Sequence, residues 1–169
     1  DSILASQRSA HDLIVIDFIP SEVNNTDFPI AEVVAKLQSA AYPKLVLAYI
    51  DIGQAEDFRT YWQSGWEPGS PDWIAGPDPD GWEGNYPVAF WRDEWQAIWL
   101  RTDGYLQAIV EAGFDGVYLD WVEAYSDPNV KALAEADGVD ARAEMIRWVG
   151  RIAAFGRAHN PRFLVIAQN

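Results

Sequence analysis

The sequence predicts an α/β fold built on a parallel sheet. Three observations carry that prediction. Four short apolar runs recur along the chain. Segments with helical periodicity separate them. Each run ends on a polar residue at its carboxyl side.

The elements follow in order. Residues 3 to 10 read as the tail of a helix. LIVIDF, 13 to 18, has strand length and no alternation, so it is expected to be buried on both faces, as in parallel sheets. It reaches a carboxylate at Asp17. The loop PSEVNNTDFP leads into a helix with Ile30, Val33, Val34, Leu37 and Ala41 on one face, and Asp27 with Pro29 marks its start. The second strand, KLVLAYID, runs from Lys44 to Asp51. Residues 54 to 92 are rich in Gly, Pro, Asp and Trp. Connections that long are lids, binding loops or disorder, and the aromatic content argues against disorder. Residues 93 to 112 read as helix, broken at Gly104 and closed by Gly113 as a left-handed residue. GVYLD, 116 to 120, is the third strand. Asp127 and Pro128 start a short helix ending near Gly138. A longer helix covers 141 to 158, with Met145, Val149, Ile152 and Phe155 as its buried stripe. RFLVIAQN is the fourth strand.

Right-handed crossovers make these strands parallel, and ligands of such sheets sit beyond the carboxyl ends of the strands. Asp17, Asp51, Asp120, Gln168 and Asn169 stand there, with Trp121 and Glu123 just past the third strand. Carboxylates gathered beneath aromatic rings have separated pKa values: one stays ionised while another holds a proton near neutral pH. That is the pairing used in glycoside hydrolysis, where a separation of about 5–5.5 Å means retention and about 6.5–9.5 Å inversion. Asp120 is the candidate nucleophile or base. A strand-end aspartate can instead cap a helix or hold a loop.

Composition bounds the function. The 169 residues suit one domain, 1 to 169, with the Trp-rich segment as its lid or binding loop. A net charge of −14 argues against nucleic acid and anionic membrane as partners. It suits a cationic ligand, and it equally serves solubility. Seven of the nine tryptophans lie between Trp62 and Trp99. Rings at that density line a sugar cleft or fold over a small core of their own. No apolar run approaches the roughly 18 residues of a membrane span. DSILASQRSA lacks the pattern of a signal peptide. Without cysteine there is no disulfide framework, and the compartment stays open. Glycine-rich nucleotide motifs are missing. His11 and His159 flank strands at their amino ends, and no zinc spacing is present, so no metal or cofactor is expected. The rim carboxylates could hold Mg²⁺ for phosphoryl transfer, although a receiver-type site wants a lysine where this chain has Gln168 and Asn169.

AYIDIGQAEDFRTYW, FWRDEWQ, GFDGVYLDWVEAY and FLVIAQN, in that order and spacing, resemble the barrel glycoside hydrolases typified by endo-α-1,4-polygalactosaminidases. The resemblance runs from about Asp12 to Asn169, and GFDGVYLD is its most specific piece. It implies a (β/α)8 barrel and a polysaccharide or oligosaccharide substrate, an α-1,4-linked galactosamine polymer. It also implies an extracellular or secreted setting. The family's strand-end aspartate matches Asp120. Its binding positions match Asp17, Tyr49, Glu56, Arg59, Trp91, Tyr125, Gln168 and Asn169. Arg59 is expected to orient a carboxylate, the alternative being a surface pair with Glu56 one helical turn away. Two departures stand out. Asp51, Gly53 and Gln54 occupy positions where the family has a small hydroxyl residue and a Gly-Glu pair. The family's proton-donating glutamate sits on a strand later than any seen here.

Eight βα units need about 250 residues, and four strands are visible. The expectation is therefore part of a barrel, with one strand before residue 1 and three after residue 169. A second chain or copy completing the barrel, or a smaller open sheet, are the alternatives. This chain alone is then expected to be inactive; Glu123, three residues past the strand end, is expected to line the rim and bind substrate, with a role as substitute acid the alternative. A non-catalytic carbohydrate-binding barrel is the alternative function.

Overall fold

A computed structural model describes residues 2 to 168, with side chains from Ala5 onward. Helix α1 (Ser2–Arg8) and strand β1 (Leu13–Asp17) come first, then a 3-10 turn at Ile19–Ser21. Next are α2 (Ile30–Gln38), β2 (Leu45–Asp51), β3 (Gln54–Glu56) and β4 (Asn85–Pro87). Helices α3 (Asp93–Leu100) and α4 (Tyr105–Glu111) lead to β5 (Gly116–Asp120) and a second 3-10 turn at Val122–Ser126. Helices α5 (Pro128–Asp137) and α6 (Ala141–His159) precede β6 (Leu164–Ala167). The longer strands form one parallel sheet in the order β1-β2-β5-β6, and β3 and β4 pair as a separate antiparallel ribbon. The α/β class with a parallel sheet is as expected.

Register decides what meets at the strand ends. Asp17 lies opposite Tyr49, and Asp51 lies opposite Asp120. Leu119 pairs with Ala167, so Gln168 follows beside Asp120. Side chains alternate across a strand. Val46, Ala48, Ile50, Val117 and Leu119 therefore share one face, and all belong to the main core. Leu13, Val15, Leu45, Leu47, Tyr118, Leu164 and Ile166 share the other face, which ends in Asp17, Asp51 and Asp120.

β1 departs from its expected burial on both faces. It is an outer strand of the sheet; Val15 is 36% exposed and its neighbours are only half-buried. Burial is deeper in β2 and β5, which have a strand on each side, although Leu45 at the start of β2 is exposed. A continuous apolar run does not tell a central strand from an outer one.

Local signals held where the chemistry is local. The Asp127 carboxylate accepts the N–H groups of Asn129 and Val130 at 2.8 and 2.9 Å, capping α5, and Pro128 fills its first turn. Helices α3 and α4 part at Gly104. Gly113 closes α4 at φ 85°, a conformation that a Cβ disfavours. Two helices differ from their sequence patterns. α2 starts without a side-chain cap from Asp27 and stops at Gln38, so Ala41 is exposed and its buried stripe is Ile30, Val33, Val34 and Leu37. The stripe of α6 is Ala141, Met145, Trp148, Ile152 and Gly156, while Val149 and Phe155 are half-buried. The stripe follows Trp148 because its ring reaches under β2.

The Trp-rich segment is divided. Trp73, Ile74, Val88, Ala89 and Phe90 are core residues, together with Trp95, Trp99 and Trp148. Trp62 and Trp66 are half-buried, and Trp82 is 72% exposed. The indole N–H groups of Trp95 and Trp148 both donate to the carbonyl of Ile52, at 3.2 and 3.3 Å. Two core tryptophans thus tie the turn after β2 to α3 and α6. No helix among the described residues is long and apolar enough to cross a membrane.

Candidate active site

The site begins at the Asp51–Asp120 rung. Paired strands lie about 4.8 Å apart, and in-register side chains point the same way. Two carboxylates therefore stand side by side at the carboxyl end of the sheet. Asp120 ends β5, and both its oxygens are held. The Tyr49 hydroxyl donates to Oδ2 in a short hydrogen bond, and the backbone N–H of Trp121 donates to Oδ1 at 2.8 Å. Trp121 itself has φ 55° and ψ 35°, the one non-glycine in the left-handed region among the described residues. Such a conformation costs about 1–3 kcal/mol and persists only where packing imposes it. Here it turns the backbone sharply after β5 and brings the Trp121 N–H onto the preceding carboxylate. Burial, and then the bond to Asp120, raise the Tyr49 phenol, so it stays a donor.

Asp51 is the other half of the rung and is only 3% exposed. It accepts the N–H groups of Gly53 and Gln54 at 3.0 and 2.8 Å, closing the turn between β2 and β3. Gly53 is required there: a Cβ would lie 2.3 Å from the Trp121 carbonyl and 2.7 Å from the Ala124 side chain. Burial, joined by the charge of Glu56, pushes Asp51 well above the usual carboxylate range.

Next to this rung lies a buried ion network. Arg59 is 5% exposed. Its Nε donates to Glu56 at 2.7 Å, and one terminal nitrogen donates to Asp17 at 3.0 and 3.1 Å and to the Ser21 hydroxyl at 2.7 Å. The i,i+3 pair with Glu56 does form, but buried rather than at the surface, and it is shared with Asp17. One guanidinium joins two carboxylates from different segments. Burial raises both Asp17 and Glu56, and Arg59 opposes that shift at each.

Above Asp120 is a cavity of about 380 Å³, lined by Tyr49, Asp51, Gln54, Asp80, Trp82, Asn85, Asp120, Trp121, Glu123 and Gln168. The loop from Asp78 to Asn85 forms one wall. Buried Asp78 accepts the Gln54 amide and the N–H groups of Asp80 and Trp82, and Asn85 donates to the Gln54 carbonyl at 3.2 Å. Gln54 thereby anchors the loop that presents Trp82. Asp78, Asp80, Trp82 and Asn85 carry no strand-end position in the sequence. Their one signal is the dense Asp, Gly and Trp of DPDGWEGN.

The expected residues divide accordingly. Tyr49, Asp51, Asp120, Trp121, Glu123 and Gln168 line one cavity. Asp17, Glu56 and Arg59 form the adjoining network. Trp91 turns to α5, its indole N–H donating to Asp137 at 2.8 Å. Tyr125 is half-buried and packs on the core. Asn169 lies outside the described residues. Among those residues, no three His, Cys, Asp or Glu side chains converge to hold a metal ion.

Comparison with known proteins adds a family. The profile of glycoside-hydrolase family GH114 matches residues 5–159. An uncharacterized protein of Deinococcus radiodurans is 42% identical over 165 residues, covering 98% of this chain and 48% of that protein. The uncharacterized protein MJ1477 of Methanocaldococcus jannaschii is 37% identical over 161 residues, 93% of this chain and 43% of that one. The chain spans about half the length of the curated relatives it matches. Aspergillus fumigatus Ega3, solved in complex with galactosamine, superposes with TM-score 0.63 at 22% identity, over 94% of this chain and 52% of that one. The glycoside hydrolase domain of PelA from Pseudomonas aeruginosa gives TM-score 0.60 at 10% identity, over 97% and 55%. These two likenesses show the fold.

Proposed function

The chain belongs to glycoside-hydrolase family GH114, and from that premise we propose that it carries the aspartate half of a glycosidase site. The bond cleaved is the α-1,4 link of a galactosamine polymer. The observation that carries this reading is the Asp51–Asp120 rung: one carboxylate is buried, while its neighbour is fixed by two donors at the mouth of a cavity. Like charges so close do not both ionise readily. Burial and the charge of Glu56 raise the proton affinity of Asp51, while Asp120 is the carboxylate held in place at the cavity.

Asp120 then acts as nucleophile or base at the anomeric carbon. The Tyr49 O–H and Trp121 N–H fix its two oxygens, so that it meets the substrate in one orientation. Asp51 stands where the family has a small hydroxyl residue, and its burial favours the neutral carboxyl over the charged form there. Trp82 and Trp121 offer ring faces to the sugar, and Gln168 offers an amide. Within this chain, Glu123 at the cavity wall is the candidate for the acid that protonates the leaving oxygen. Support for an aminosugar comes from the net charge of −14 and from Ega3, solved with galactosamine. A secreted setting follows from a polymeric substrate.

The test is Asp120→Asn in the full-length protein, assayed for new reducing ends on oligomers of α-1,4-linked galactosamine. Turnover is expected to fall about 10³-fold or more with oligomer binding retained. Unchanged turnover would refute the role of Asp120. Binding without turnover in the parent protein would favour the non-catalytic carbohydrate-binding reading.

A further inference from the structure

A groove of about 650 Å³, larger than the cavity above Asp120, lies between the segment around Trp62 and helix α3. Ligand sites commonly fall between about 300 and 1,000 Å³. The groove lies behind the ribbon. Successive residues of β4 face opposite ways. Asn85 lines the candidate active site, while Tyr86 turns back and carries Trp62 stacked on it, centroids 5.0 Å apart and planes at 24°. Trp66 stands edge-on to Trp62 at 5.4 Å and to buried Trp73 at 4.9 Å.

These rings are not simply a satellite core. Trp73 and Trp95 are sealed, whereas Trp62 and Trp66 keep surface toward the groove. Their orientations are already set by packing, so a ligand stacking on them would have little side-chain entropy to remove. Flat apolar faces held in place suit the apolar face of a pyranose. On the far wall, the charged side chains are Glu94, Arg101 and Asp103, which sum to one negative charge. Arg101 already binds both oxygens of Asp103, at 2.9 and 2.7 Å. Glu94 is thus the carboxylate suited to an ammonium group on a sugar.

We propose that this groove is a second sugar-binding site. It holds an uncleaved stretch of a polymer with amino-bearing pyranose units, across the ribbon from Asp120. The identity of its ligand rests on the aminosugar reading above. Its existence as a sugar site rests on the groove alone.

The experiment uses the full-length protein and native gels cast with α-1,4-polygalactosamine or with its N-acetylated form. Trp62→Ala/Trp66→Ala should weaken retention by polygalactosamine at least tenfold, while cleavage of a galactosamine tetramer stays within twofold of the parent. Glu94→Lys changes an exposed side chain and tests the same wall without touching the rings. It should weaken retention by the amine polymer more than by the N-acetylated one. Circular dichroism checks folding of each variant, and Glu94→Lys decides the matter if the double variant unfolds. Unchanged retention in the folded variants overturns the proposal. So does a loss of tetramer cleavage equal to the loss of retention, because the groove would then be part of the active site. No cleavage by the parent, with retention that depends on Trp62 and Trp66, overturns the hydrolase reading and leaves the groove standing.

Discussion

The two sides of the β3–β4 ribbon look onto hollows made in opposite ways. On the Asn85 side the polar groups are buried and bonded: Asp51 to two backbone N–H groups, Asp120 to Tyr49 and Trp121, Arg59 to two carboxylates. On the Tyr86 side the rings are packed and the charges lie in solvent. The first hollow is the smaller, about 380 Å³ against about 650 Å³. The contrast teaches that volume does not locate chemistry. Desolvated carboxylates held by hydrogen bonds do, because burial raises their proton affinity, as at Asp51 and Glu56.

The largest expected effect would break that contrast outright. Asp120→Asn should remove turnover by about 10³-fold and leave polymer retention in native gels intact, whereas Trp62→Ala/Trp66→Ala should do the reverse. If each variant lost both properties, the two hollows would be a single site.

A second comparison sets one arginine against another. Arg59→Met strips Glu56 and Asp17 of their shared cation, and losing one partner of a buried ion pair costs about 3–5 kcal/mol. Urea denaturation should show most of that loss. Arg101 and Asp103 are exposed on the groove side, with side chains 64% and 68% accessible. Arg101→Met should leave the urea midpoint where it was. Equal midpoints for the two variants would mean that the Arg59 network contributes nothing.

Gly53→Ala is expected to cost about 1–3 kcal/mol by overpacking against the Trp121 carbonyl, and to lower turnover through the displaced Trp121 N–H. A neutral result in thermal melts would show that the two turns have room to part.

The smallest effect concerns protons. Asp51 has a raised folded pKa, so the folded chain keeps a proton that the unfolded chain has lost. Its contribution to stability is complete below the unfolded value, about 3.9. It declines as pH rises from there through the folded value, then levels off. Asp51→Asn cannot lose that proton, and its thermal midpoint should fall less than the parent's over the same pH rise. Parallel curves would mean that Asp51 ionises as an ordinary surface carboxylate.

Much of this was legible in the chain. GVYLD and KLVLAYID announce buried strands ending on carboxylates, and their register then puts Asp51 opposite Asp120. The cap at Asp127 and the stops at Gly113 and Gly138 are written within a few residues, and they formed as read. LIVIDF carries the same apolar signal as β2, yet β1 lies half-exposed, since burial depends on what stands alongside. Trp148 was missing from the expected stripe of α6 because nothing within that helix marks the ring that reaches Ile52.

The sequence by itself determined the four strands of the parallel sheet and the residues at their carboxyl ends, because backbone geometry and capping are decided among neighbours in the chain; the β3–β4 ribbon, inside the segment that reads as a loop, it did not mark. Only the tertiary structure decided that Arg59 serves both Asp17 and Glu56, that Asp51 is the buried carboxyl beside Asp120, and that Trp73 is sealed while Trp62 and Trp82 face outward. Those outcomes depend on distances between segments tens of residues apart. Burial and pairing, which set both charge state and exposure, exist only once those segments are packed together.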